Sequence, residues 1–117
     1  MHELPVMIKI LSVVCRHAQK NGVREIRSIT LGVGILSDLE PEWMQKYFDR
    51  ISQETVAAGA KLHVRRIPAL FQCAICQDTY VWEDRKQPIP ACPGCGRLGE
   101  GRLIAGSGYQ VLEMEAI

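Results

Sequence analysis

The chain has 117 residues, with 14 Lys and Arg against 13 Asp and Glu, giving a net charge of +1. Balanced charge leaves no field with which to hold nucleic acid by counterion release, and no apolar run approaches the roughly 18 residues of a membrane span. The length suits one domain or two small ones, and composition divides it: Ile, Val and Leu dominate residues 4–67, while 68–106 are rich in Pro, Gly, Cys and Gln.

Leu4, Ile8, Leu11, Cys15 and Ala18 recur at helical spacing, flanked by Met7 and Val14, and Pro5 fits only a first turn. A helix is predicted over 4–20, stopped by Asn21-Gly22. Cys15 within this stripe reads as a buried free thiol, and His17 as a solvated helix residue. Residues 23–35 then alternate, with Ile29, Leu31, Val33 and Ile35 on one face of a strand. Gly32 and Gly34 fall on the other face, where a helix could approach closely.

Ser37-Asp38-Leu39-Glu40-Pro41 supplies acceptors for exposed amides and a proline for a first helical position. The second helix carries Met44, Tyr47, Phe48, Ile51 and Thr55 inward and ends before Gly59. Residues 61–67 form a strand closed by Pro68, with His63 among Lys61, Arg65 and Arg66, a weak metal candidate alone. Residues 109–116 form another strand, with Leu112 and Met114 on one face.

Between those strands lie two knuckles, Cys73-Ala-Ile-Cys76 and Cys92-Pro-Gly-Cys95, separated by fifteen residues. Two such turns facing each other offer four thiolates to one ion, the spacing of a zinc ribbon. No secretory signal is evident, so reduced thiols are expected in a cytosolic chain, and disulfides lose ground. The prolines around the second knuckle argue against a thioredoxin-like redox pair. Iron in a rubredoxin-like site would use the same ligands. Four thiolates leave no open position for a hydrolytic water, and Asp78 and Glu83 read as solvated loop residues. A segment of about forty residues is too small for burial alone to fold it, so the metal is expected to be structural.

The expected fold is α+β: a small mixed three-stranded sheet with two helices, formed by 1–67 and 107–117, plus an inserted zinc-ribbon domain over 68–106. Its two connecting strands would form a neck, and exchange between protomers of a homodimer is compatible with that arrangement. No Ser-His-Asp, Cys-His or paired-carboxylate set points to an enzyme. At Met1-His2-Glu3 two readings stand. The residues begin a helix, or the α-amine, the next amide and the His2 imidazole chelate an ion such as Ni(II) or Cu(II).

Met1-His2-Glu3, Gly32-Val33-Gly34, Gly59-Ala60-Lys61-Leu62 and the two knuckles together resemble the HypA/HybF family of hydrogenase nickel-incorporation proteins, over the whole chain. The resemblance implies a nickel metallochaperone acting with a nickel-handling GTPase on the large subunit of [NiFe]-hydrogenase, without nucleic acid or membrane. It implies exchangeable Ni(II) at Met1, His2 and Glu3, with Asp38 or Glu40 completing the shell, and Zn(II) at Cys73, Cys76, Cys92 and Cys95. The family often has a histidine after a knuckle, where Gln77 and Gly96 stand here. A zinc-ribbon adaptor with no nickel role is the alternative.

Overall fold

A computed structural model describes residues 2–117. Its elements run α1 (Glu3–Lys20), β1 (Ile26–Gly34), α2 (Pro41–Ile51), β2 (Lys61–Ile67), β3 (Ala69–Cys73), β4 (Thr79–Trp82), β5 (Gly101–Ala105) and β6 (Tyr109–Ala116). They form two three-stranded sheets, ordered β2-β1-β6 and β4-β3-β5. The architecture is α+β. Two compact units divide the chain: one takes the segment up to Gly32 with Asp38–Arg65 and Gln110–Ile117, and the other takes Val33–Ser37 with Arg66–Tyr109.

In the first unit α1 packs on α2. α1 buries Met7, Ile10, Val14 and Ala18, together with Glu3. This stripe is rotated from the one expected, since Leu4 and Ile8 are 38% and 53% exposed and Cys15 is only half-buried. The helix carries two apolar stripes of similar strength, and packing selects the one that contains Ile10. At its end Gly22 adopts a φ of 66°, and the Val23 amide donates to the Ala18 carbonyl at 2.9 Å. This closes the helix as a Schellman cap. Val23 therefore belongs to the cap, and β1 starts at Ile26 rather than at 23.

β1 lies at the centre of its sheet, and Ile29, Leu31 and Val33 are fully buried. Amides of Arg24 and Glu25 donate to the Ile117 carbonyl, and that of Gly34 donates to Gly108, so β6 runs antiparallel to β1. The Ile35 amide donates to Ile67 at the shared C-terminal ends of β1 and β2. α2 buries Met44 and Phe48 and has Pro41 in its first turn. It ends at Ile51 and does not reach Thr55. There the Thr55 hydroxyl donates to the Ser52 carbonyl at 2.6 Å and accepts from the Ala57 amide at 3.1 Å, drawing the chain into turns. From α2, Gln45 spans the start of β2: its amide nitrogen donates to the Ala60 carbonyl and its oxygen accepts from the Leu62 amide at 2.8 Å.

The second unit contains three strands that the Pro/Gly-rich composition of 68–106 concealed. β3 pairs antiparallel with both β4 and β5, and its register with β5 shifts between Leu70 and Phe71. Its small core comprises Ile35, Ala69, Phe71, Cys73, Tyr80 and Cys92, with the Phe71 and Tyr80 rings stacked at 5.6 Å. Gly34 does not admit a helix, as expected from sequence, but a loop: a Cβ there would strike the Gly106 carbonyl and meet the Ser107 nitrogen at 2.8 Å. Gly34→Ala should accordingly destabilise the protein by about 1–3 kcal/mol, the usual cost of overpacking against backbone that cannot yield. Urea unfolding followed by circular dichroism should report it as a lowered midpoint.

Candidate metal centres

The two knuckles are built alike. In the first, the Cys73 amide donates to the Asp78 carbonyl at 2.8 Å and the Gln77 amide to the Cys73 carbonyl at 3.0 Å. In the second, the Cys92 amide donates to Arg97 at 2.9 Å and the Gly96 amide to Cys92 at 2.8 Å. In each the residue after the second cysteine is left-handed, with φ of 70° at Gln77 and 74° at Gly96. Gly96 adopts this conformation without penalty, whereas Gln77 does so against its side chain. Gly94, in the second knuckle, lies so close to Asp78 that a Cβ would meet its carboxylate.

These turns aim four sulfurs at one point. The Sγ atoms of Cys73, Cys76, Cys92 and Cys95 all lie within 4.8 Å of one another. Cys73 and Cys95 stand 3.7 Å apart, Cys76 and Cys92 3.3 Å. A disulfide would need about 2.05 Å. Four thiolates around one ion at about 2.3 Å would stand about 3.8 Å apart, so the set fits a tetrahedral thiolate-bound metal. Electrostatics point the same way. The Cys73 thiol is lowered to about 7, chiefly by the backbone amides of Cys76 and Ile75. The Asp78 amide favours the Cys76 thiolate, yet Cys76 is pushed up to about 12 by the adjoining Cys92 thiol and by burial. Cys95 is raised as well. Four sulfurs this close cannot all ionise without a cation among them.

The residues singled out at the other end of the chain are only partly brought together. Met1 lies outside the described residues. His2 is exposed at the N-cap of α1, where its side chain makes no capping hydrogen bond. Glu3 is the first helical residue and only 5% exposed. Its Oε2 accepts the backbone amide of Glu40 at 2.9 Å. Burial opposes ionisation of Glu3, but the Glu40 amide is among the groups that hold its carboxyl below the usual range. Glu3, Glu40, Trp43 and Tyr47 line one groove of about 340 Å³. Asp38 and Glu40 are both exposed, and the Glu3 hydrogen bond reaches Glu40. Sequence proximity gave no hint of that bond, because 37 residues separate its partners.

Among the described residues no helix is long and apolar enough to cross a membrane. The sequence model of the family described as "Hydrogenase/urease nickel incorporation, metallochaperone, hypA" matches residues 1–116. The chain is 33% identical over 117 residues to the hydrogenase maturation factor HypA of Rhizobium leguminosarum bv. viciae, covering 100% of both. The solution structure of the Ni metallochaperone HypA from Helicobacter pylori is similar at a TM-score of 0.71 and 19% identity, covering 100% of this chain and 98% of that one. A second, the solution structure of a HypA protein, gives 0.76 at 20% identity, covering 100% and 97%. At such identities these two structures speak for the fold alone. Family model and curated relative agree over essentially the whole length, and the chain belongs to the HypA family of hydrogenase/urease nickel-incorporation metallochaperones, which are maturation factors and not enzymes.

Proposed function

We propose that this protein binds Ni(II) at its N-terminus and delivers it during maturation of [NiFe]-hydrogenase, while Cys73, Cys76, Cys92 and Cys95 hold a structural Zn(II). The nickel site comprises Met1, His2 and Glu3 with an acidic residue of the segment before α2. Between Asp38 and Glu40, the hydrogen bond that draws the Glu40 backbone to Glu3 favours Glu40. That bond carries the reading, because it brings a second acidic segment to the first turn of α1. The α-amine, amide and imidazole nitrogens of Met1-His2 make a set suited to Ni(II) rather than Zn(II). A ligand set at a chain end also suits cargo, since a partner can strip it without opening a core.

The division of labour assigns nickel to a domain of residues 1–67 and 107–117 and zinc to residues 68–106. The zinc, when bound, neutralises the four thiolates and ties the two knuckles together. With every position filled by sulfur, it activates no water. The partners proposed are a nickel-handling GTPase of the maturation pathway and the hydrogenase large subunit, in the cytoplasm, with a homodimer as one form of the carrier.

Metal analysis of untagged protein tests this directly. One zinc and one exchangeable nickel per chain are expected; His2→Ala or an N-terminal extension should abolish the nickel and leave the zinc. Nickel loading unaffected by either change would sink the proposal. Cys92→Ser should instead remove the zinc and unfold the second unit, seen as lost near-ultraviolet dichroism.

Acidification should act in one direction at both sites. Thiols bind metal only as thiolates, and Cys76 at about 12 must release its proton to bind. The stability conferred by zinc is thus present at neutral pH and lost as pH falls. Titration from pH 8 to about 4 with a chromophoric chelator should show monotonic zinc release, and release that increased with pH would contradict the thiolate assignment.

A further inference from the structure

We propose that Glu3 is a positioning residue of the nickel site and not a ligand: its carboxylate fastens the segment before α2 to the first turn of α1 and so positions Glu40. The inference rests on the nickel reading above and assigns one residue a distinct part within it.

Three observations carry it. The Glu3 side chain is 5% exposed, although carboxylates are rarely buried without being committed to partners. Its Oε2 takes the Glu40 amide at 2.9 Å. That amide is at the entrance of α2, where Glu40 is the N-cap with no side-chain capping bond of its own and Pro41 follows without an N–H. Glu3 therefore does for α2 what the N3 glutamate of a capping box does, accepting the N-cap amide, but from another helix. It also stands in the first turn of α1, so a single negative charge meets the positive ends of two helices.

A carrier that used Oε2 of this carboxylate as a ligand would compete with the α2 contact on loading. On release it would leave a buried carboxylate to find its partner again. As a clamp, Glu3 stays satisfied whether or not nickel is present. The exposed Glu40 side chain, held by its own backbone, is left to meet the ion. Trp43 and Tyr47 of α2 line the same groove, their ring centroids 6.0 Å apart.

Two substitutions test it against His2→Ala. Glu3→Gln keeps an oxygen for the Glu40 amide, whereas Glu3→Ala removes it. Nickel titration of Glu3→Gln should give an affinity within about threefold of wild type, and Glu3→Ala should lose about tenfold or more, the worth of one hydrogen bond. The nickel d–d absorption should be unshifted in Glu3→Gln, and the Glu40 amide should exchange with solvent faster in Glu3→Ala alone. A Glu3→Gln protein as weak as Glu3→Ala, or with a shifted nickel spectrum, would put the carboxylate in the coordination sphere and overturn the proposal. If wild type and His2→Ala bind nickel equally, the N-terminal site itself falls, an outcome distinct from the first. Circular dichroism of Glu3→Ala separates a lost clamp from a lost fold, and intact dichroism with unchanged Glu40 exchange would also refute the clamp.

Discussion

Four sulfur atoms confined within 4.8 Å of one another are the constraint on which the second unit depends. Its apolar core is six side chains, and two of them are cysteines of the cluster. Burial on that scale falls short of the conformational entropy of some forty residues. The two knuckles meet this with paired hydrogen bonds that fix each turn, yet those bonds also hold the sulfurs where their charges conflict. The turn geometry and the thiol electrostatics thus make the same demand, a cation at the centre.

Much of this was legible in the sequence because it is local. A CxxC pair declares its turn, Gly22 and Pro41 announce where helices end and begin, and the alternation through Ile29, Leu31 and Val33 marks β1 before any neighbour is known. What the sequence hid is set by competition or by distance. α1 offers two apolar stripes, and only the packing partner decides for Met7 and Ile10 over Leu4 and Ile8. Three ribbon strands were masked by proline and glycine on either side, although Thr79-Tyr80-Val81-Trp82 is rich in strand-forming residues.

The candidate sites divide along the same line. The four cysteines could be named from spacing alone, whereas the acidic residue paired with the N-terminal helix could not. Asp38 and Glu40 are equivalent in composition and two positions apart. The backbone of Glu40 meets Glu3 across 37 residues. Gly34 makes the same point for the fold. Its smallness was readable, but the occupant of the space, a loop carbonyl rather than a helix, depended on Gly106.

Gln45 has an implication for how such a carrier behaves when crowded. β2 is an outer strand, and a row of vacant amides on an outer strand invites another chain to add to the sheet. The Gln45 side chain occupies the Ala60 carbonyl and the Leu62 amide, imitating one residue of a neighbouring strand. Exposed Lys61 and Arg65 beside it discourage any intruder of like charge. One glutamine thus fills, on that open edge, the place where the first residue of an added strand would have to bond.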